Sequence, residues 1–343
     1  MSRRHRGEEG RIRHPARAGR AGVLASAVMA VLGVALGAAG AYMAGRGAAA
    51  EAGRWPAPGQ FELREGPASR SERVFAERDR IVAALRAGAE PERFAPPALP
   101  PGRPKIIVIF DDMGLDPAAF GRVMALPGPL TLSFLPYAED AQSMIDRARA
   151  AGHEILLHLP MEPDGPDDPG PNALRANMTG AELLSALAWN LSRLEGYSGV
   201  NNHMGSRMTR HEAAMKTVLS VLDERGLYFV DSVTTSKSAA AEAGRAVGAR
   251  VFARDVFLDP EAGPETVVRQ LALVERIARE TGYAVAICHP RHDTLVALGP
   301  WLTSAPARGF ELATTAALLE MDDAWSDNAQ AAADDGEARN SAR

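Results

Sequence analysis

Apolar, β-branched runs and amphipathic stretches take turns along the middle of the chain. Lys105-Ile-Ile-Val-Ile-Phe110 is apolar at every position after the lysine. Both faces of such a segment must be covered, as in a buried parallel strand. Further runs at 130–134, 154–158, 199–202, 228–231, 250–253, 284–288 and 311–313 predict more strands. Helical spacing fills most of the gaps. Thr179-Gly-Ala-Glu182 has capping-box spacing ahead of an apolar face of Leu183, Leu184, Leu187 and Leu191. Pro264 suits the first turn of a helix running to Glu280, and Gly282 suits its end. Strict alternation of strand and helix predicts a parallel sheet with right-handed crossovers. About eight strands without a dinucleotide-type glycine fingerprint favour an α/β fold closed into a barrel over an open Rossmann sheet.

The two ends of the chain break this rhythm. Residues 1–20 carry Arg3, Arg4, Arg6, Arg11, Arg13, Arg17 and Arg20, and residues 21–45 carry no charge. An uncharged span of that length crosses a hydrocarbon core of about 30 Å as a helix. Basic residues ahead of it keep that end in the cytoplasm. The expectation is a single transmembrane signal anchor in the inner membrane, with the remainder in the periplasm. The competing reading is a signal peptide cleaved near Ala48-Ala49-Ala50, which would release the rest into the periplasm. Residues 46–104 read as a juxtamembrane region. A charged helix is expected over 69–87, with Val74, Ile81 and Leu85 on one side, followed by a Pro-rich spacer over 95–104. The folded domain is then expected over 105–321, and the acidic, alanine-rich 322–343 as a disordered tail.

Charge and cysteine usage narrow the function. The 343 residues carry a net charge of −5, which gives no electrostatic footprint for nucleic acid. Cys288 is the single cysteine, so an intrachain disulfide and a Cys-based zinc cluster are both excluded. The chain has no Walker sequence, nucleophile elbow or zincin helix motif.

The chemistry-bearing residues fall where strands end. Asp111 and Asp112 end the first strand, His158 the third, His203 the fourth, Asp231 the fifth and His289 the seventh. In a parallel sheet all these ends lie at one mouth, where α/β folds build their sites. Adjacent carboxylates repel unless a cation or a shared proton relieves them. Two imidazoles and a carboxylate form a common catalytic zinc set, and Asp112, His158 and His203 supply one. Asp111 is then free to act as base and His289 as acid toward a leaving group. Each of these residues taken singly has a plainer reading, as a helix cap or as a partly buried imidazole at a strand end. Arg291 either binds an anionic or hydroxylated substrate or is a solvated arginine. Asn201 and Asn202 either orient ligands and bind sugar hydroxyls or serve a turn. Asp231 is a further candidate for substrate binding. His153 reads as structural and His211 as a helix-start residue.

Several strings resemble those of metal-dependent polysaccharide deacetylases. Phe110-Asp-Asp-Met-Gly114 resembles the family's Thr-Phe-Asp-Asp-Gly, and Gly152-His-Glu-Ile-Leu-Leu-His158 resembles its Gly-His-Glu-Ile-Gly-Asn-His. Asn201-Asn-His-Met-Gly-Ser206 and His289-Pro-Arg291 resemble hallmarks of the divergent polysaccharide deacetylase branch, over a span from Lys105 to about Met321. The resemblance implies a distorted (β/α) barrel of about 7–8 mostly parallel strands and a divalent, zinc-type metal site. It implies Asp111 as base, Asp112 and His158 as ligands, and His289 as the late catalytic histidine. Where better-known members carry a second ligand histidine this chain has Glu162, so His203 is expected to replace that ligand, with Glu162 as a further or bridging one. The implied activity is removal of acetyl groups from an extracytoplasmic envelope glycan. The alternative is a catalytically degenerate deacetylase barrel that binds glycan or a protein partner. A glycosidase using Asp111, Glu162 or Asp231 as paired carboxylates is a third reading.

Overall fold

The computed structural model describes residues 70–88 and 102–321, all within the compact unit formed by 61–343. The expected basic terminus, the uncharged span at 21–45 and the tail from 322 lie outside the described residues. Among the described residues no helix is long and apolar enough to cross a membrane.

Nine strands form one parallel sheet: β1 (Lys105–Met113), β2 (Thr131–Phe134), β3 (Glu154–Met161), β4 (Gly199–Met204), β5 (Tyr228–Asp231), β6 (Val251–Ala253), β7 (Val256–Phe257), β8 (Tyr283–Cys288) and β9 (Glu311–Ala313). The helices are α1 (Arg70–Arg86), α2 (Pro117–Val123), α3 (Ala141–Ala150), α4 (Gly180–Leu191), α5 (Glu212–Glu224), α6 (Ala240–Val247), α7 (Pro264–Thr281) and α8 (His292–Ser304). Strand order is β6-β5-β4-β3-β2-β1-β8-β7, with β9 paired to the first half of β1. The edge strands β6 and β7 are consecutive halves of one extended segment. Arg254 N donates to Asp231 O on one side, and Asp255 N donates to Val285 O on the other. The sheet therefore curls round until its two edges share a single stretch of chain, and the result is a curled parallel β/α fold. The short β7 is the one strand absent from the sequence expectation. At two residues it is too brief to show an alternation.

Alternation along the strands sorts the core into two layers. Ile107, Ile109, Leu156, Tyr228, Val230, Phe252, Val285 and Ile287 form the inner cluster. Ile106, Val108, Phe110, Val200, Phe229 and Ala286 pack outward among the helices. Leu318 and Met321, beyond β9, join the inner cluster. Near them Glu154 accepts from Tyr228 Oη at 2.6 Å and Thr315 Oγ1 at 2.6 Å, which ties the segment after β9 to β3 and β5.

The two local signals read from sequence are formed. Thr179 and Glu182 make the reciprocal capping box at the start of α4. Gly282 closes α7 with a φ of 87°, a conformation glycine adopts without steric cost. Helix α1 is docked onto the sheet seam. Ile81, Val82 and Leu85 are buried, and the Arg78 guanidinium grips Asp255 with two hydrogen bonds of 3.0 and 2.6 Å. It also stacks 3.6 Å from the centroid of the Tyr283 ring. The folded unit thus includes α1, ahead of the boundary at 105 expected from the Pro-rich spacer.

Candidate metal and catalytic site

A cavity of about 490 Å³ opens where the strands end, lined in part by Asp111, Asp112, His158, His203, Arg254, His289 and Arg291. Strand parity explains much of this lining. Asp111 continues the inward series of Ile107 and Ile109, His158 that of Leu156, and His289 that of Val285 and Ile287. Asp112 would ordinarily turn outward. The β1–β2 register instead slips between Phe110, opposite Leu132, and Met113, opposite Phe134, so three steps on β1 match two on β2. This bulge, with Asp112 at a φ of 58°, brings both carboxylates to the same cavity. Of the five non-glycine residues with positive φ among the described residues, three (Asp112, Met204 and Val233) line this cavity. Backbone strain is concentrated at the site, where function can retain it.

Three ligand atoms converge. Asp112 Oδ1 lies 2.9 Å from His203 Nδ1 and 3.3 Å from His158 Nε2, and the two ring nitrogens are 3.2 Å apart. Asp112, His158 and His203 form the one metal-type cluster among the described residues. Tetrahedral coordination at about 2.0 Å places neighbouring ligands about 3.3 Å apart, so the triangle fits a zinc-sized ion. Asp112 Oδ1 is also buried without a hydrogen-bond partner, as an oxygen awaiting a cation would be. Burial opposes ionisation of Asp112, but the closeness of His158 and His203 outweighs it and holds its pKa far below the usual carboxylate range.

Asn201 organises the group from behind. Its Nδ2 donates to Asp111 Oδ1 at 2.7 Å and to Ser232 Oγ at 3.2 Å. Its Oδ1 accepts from Ser133 Oγ at 2.5 Å and faces His158 Nδ1 at 2.8 Å. With the amide nitrogen committed to a carboxylate, the amide oxygen must receive the Nδ1 proton of His158. That leaves the lone pair on Nε2, toward Asp112 and His203, as a metal ligand requires. Burial raises the pKa of Asp111 above its ordinary value, against the lowering charges of His158 and His289 and the Asn201 hydrogen bond.

His289 Nε2 is 3.6 Å from Asp112 Oδ2, and its Nδ1 is 3.2 Å from Asp259 Oδ1. Asp259 is itself fixed by the His289 backbone N–H at 2.9 Å and Thr294 Oγ1 at 2.9 Å. Burial works against a protonated His289, but the Asp259 hydrogen bond and the charges of Asp111 and Asp259 raise its pKa. Phe257 stands edge-on to the ring at 5.6 Å. Sequence reasoning missed Asp259, Arg254 and Phe257, because all three hang on the short β6–β7 segment. Arg254 donates to Ser232 O at 2.6 Å and Val233 O at 2.8 Å, which holds the strained loop after β5.

Three expected site residues are engaged elsewhere. Glu162 stands apart from the three converging ligand atoms. Its carboxylate accepts from Ala176 N at 2.9 Å and faces Arg207 at 3.6 Å, and it stands outside the metal cluster. Asp231 falls on the opposite parity to Val230 and is buried, accepting from Val233 N, so it caps the turn after β5 and does not line the cavity. Asn202 borders the cavity, but both ends of its amide are spent. Oδ1 accepts from Ser232 N at 2.8 Å and Nδ2 donates to Met204 O at 2.7 Å, pinning β4 to the next loop. Arg291 is exposed at the rim and donates to Asp259 O at 3.0 Å. His153 accepts from Leu130 N, and His211 caps α5 through Ala214 N, both structural roles.

Residues 108–319 match the family model described as divergent polysaccharide deacetylase. YibQ of Escherichia coli is 33% identical over 202 residues, which cover 59% of this chain and 63% of YibQ. A Haemophilus influenzae protein is 30% identical over 202 residues, 59% of this chain and 72% of that one. The crystal structure of ATU2773 from Agrobacterium tumefaciens superposes with a TM-score of 0.62 at 28% identity, over 68% of this chain and 94% of that one. The family match covers more than half of the chain, and the chain belongs to the divergent polysaccharide deacetylase family.

Proposed function

We propose that the chain is a metal-dependent hydrolase that removes acetyl groups from an envelope polysaccharide. The observation that carries this reading is the Asp112–His158–His203 triangle, with Asp111 and His289 flanking it in one cavity. Asp112, His158 and His203 would hold a divalent ion, zinc foremost. When bound, such an ion polarises a carbonyl and lowers the pKa of water. Asp111, buried and hydrogen-bonded by Asn201, would take the proton of the attacking water. His289, oriented by Asp259, delivers a proton to the departing nitrogen or oxygen. Glu162 and Asp231 are engaged by Ala176 N and Val233 N, so neither pairs with Asp111 as the glycosidase reading requires.

Family membership is what supports a glycan as the substrate. The sequence supports the setting: the uncharged span at 21–45 would anchor the chain in the inner membrane, with the catalytic domain in the periplasm. Cleavage near residues 48–50 would give the same domain unanchored. Acetate release from acetylated glycans by the zinc-supplemented chain tests the reading, with Asp111→Asn beside the wild type. Release that falls at least about a hundredfold in the variant supports it. Equal release by both would remove Asp111 as base, and none from any acetylated glycan by a metal-loaded wild type would leave a binding protein.

A further inference from the structure

Two cations in the cavity are not used by the hydrolytic chemistry. Arg254 sits at the β6–β7 seam and Arg291 just beyond β8, and both line the cavity. Arg254 bonds only neutral groups. Its Nε and one terminal nitrogen reach the Ser232 and Val233 carbonyls, and its other terminal nitrogen has no hydrogen-bond partner among the described residues. A strut for two carbonyls needs donors but not a full charge. Keeping a guanidinium half-buried with no carboxylate hydrogen-bonded to it is costly. Desolvation, together with the charge of Arg86, brings its pKa down to about 10 despite Asp111, Asp231 and Asp255. Arg291 likewise bonds a carbonyl, that of Asp259.

The two guanidiniums bracket His289. Contacts run from Arg254 to the Phe257 ring at 5.1 Å, from that ring to His289 at 5.6 Å, from His289 to Asp259 at 3.2 Å, and from the Asp259 carbonyl to Arg291 at 3.0 Å. The wall that carries the expected proton donor thus has a cation at each end. The chain carries a net charge of −5, so these cations are not part of a generally basic surface. Asp111 and Asp112, the cavity's own acids, each lie within 3.7 Å of His158 or His203 and hydrogen-bond to neither guanidinium.

We propose that the cavity selects acidic glycans, with Arg254 and Arg291 binding a carboxylate on a sugar next to the acetylated one. This deepens the deacetylase reading and rests on it for the acetylated partner sugar. Guanidinium is suited to carboxylates because its planar fork donates two parallel hydrogen bonds.

The test is titration calorimetry on the full chain with two probes. One is a tetrasaccharide alternating glucuronate with N-acetylglucosamine, and the other is the neutral N-acetylglucosamine tetramer. The wild type should bind the acidic probe about tenfold or more tightly, and added salt should erode that preference. Arg254→Gln and Arg291→Gln should each bring the ratio of affinities toward one while metal content stays at the wild-type level. Arg291 is exposed, so its variant will fold even where loss of the Arg254 strut loosens the loop after β5. A wild-type ratio near one, or a preference that survives both Arg291→Gln and Arg254→Gln, would overturn the proposal. Binding needs no turnover. A chain that prefers the acidic probe but releases no acetate would keep this inference and discard the hydrolase.

Discussion

Replacing Asn201 by alanine should uncouple the metal site from the sheet that supports it. The residue is fully buried and makes four contacts: to Asp111, Ser232, Ser133 and His158. Alanine would leave the His158 Nδ1 proton without an acceptor, so the ring could turn or adopt the other tautomer. Partners that orient a metal-bound histidine are typically worth about 10- to 100-fold in affinity, or about 1.4–2.8 kcal/mol. The stripped Asp111 carboxylate and two serine hydroxyls would add about 3 kcal/mol of lost fold stability in metal-free protein. Zinc affinity, measured by competition with a chromophoric chelator, and urea unfolding in excess chelator separate the two effects. The neighbouring Asn202→Ala is the control. It removes only the ties to Ser232 N and Met204 O, so stability should fall by about 1–2 kcal/mol with a smaller change in affinity. Zinc affinity within threefold of wild type in a folded Asn201→Ala protein would refute the second-layer role given to this amide.

Other perturbations have equally definite outcomes. Arg78→Met should cost about 3–5 kcal/mol in urea unfolding, because it strands Asp255 in the seam beneath α1; a loss under 1 kcal/mol would mean that α1 is not docked in solution. Gly199→Ala would set a Cβ 2.6 Å from the Tyr228 ring, which Glu154 and Thr315 hold by its hydroxyl, and should destabilise by about 1–3 kcal/mol, read as a lower Tm. Glu162→Gln should leave metal stoichiometry unchanged, since that carboxylate serves Ala176 N and Arg207; loss of metal on elemental analysis would return it to the ligand set.

Strand alternation and the clustering of acids and histidines at strand ends were legible in the chain, and they lead to the same mouth that the structure shows. Strand alternation keeps one of the expected residues away from the site. Side chains alternate along a strand, so Asp231, one step after the inward Val230, could not reach the cavity, whereas Ser232 does. Asp112 breaks the rule through a bulge, and adjacency in sequence carries no sign of one. Asp259 and Arg254 were invisible because β7, beside both, is too short to register as a pattern, and what brings them to His289 is closure of the sheet. Helix α1 was legible as a helix, but its docking depends on a buried ion pair between residues 177 positions apart, beyond any local signal.

The central claim is that Asp112, His158 and His203 hold a metal, with His203 in the place of the ligand that Glu162 does not supply. The most direct test is the metal content of the purified full chain after zinc loading and desalting, wild type beside His203→Ala. The account expects close to one zinc per wild-type chain and little in the variant, with both folded by circular dichroism. Wild-type protein that retains no metal, or a variant that retains as much as the wild type, would contradict it.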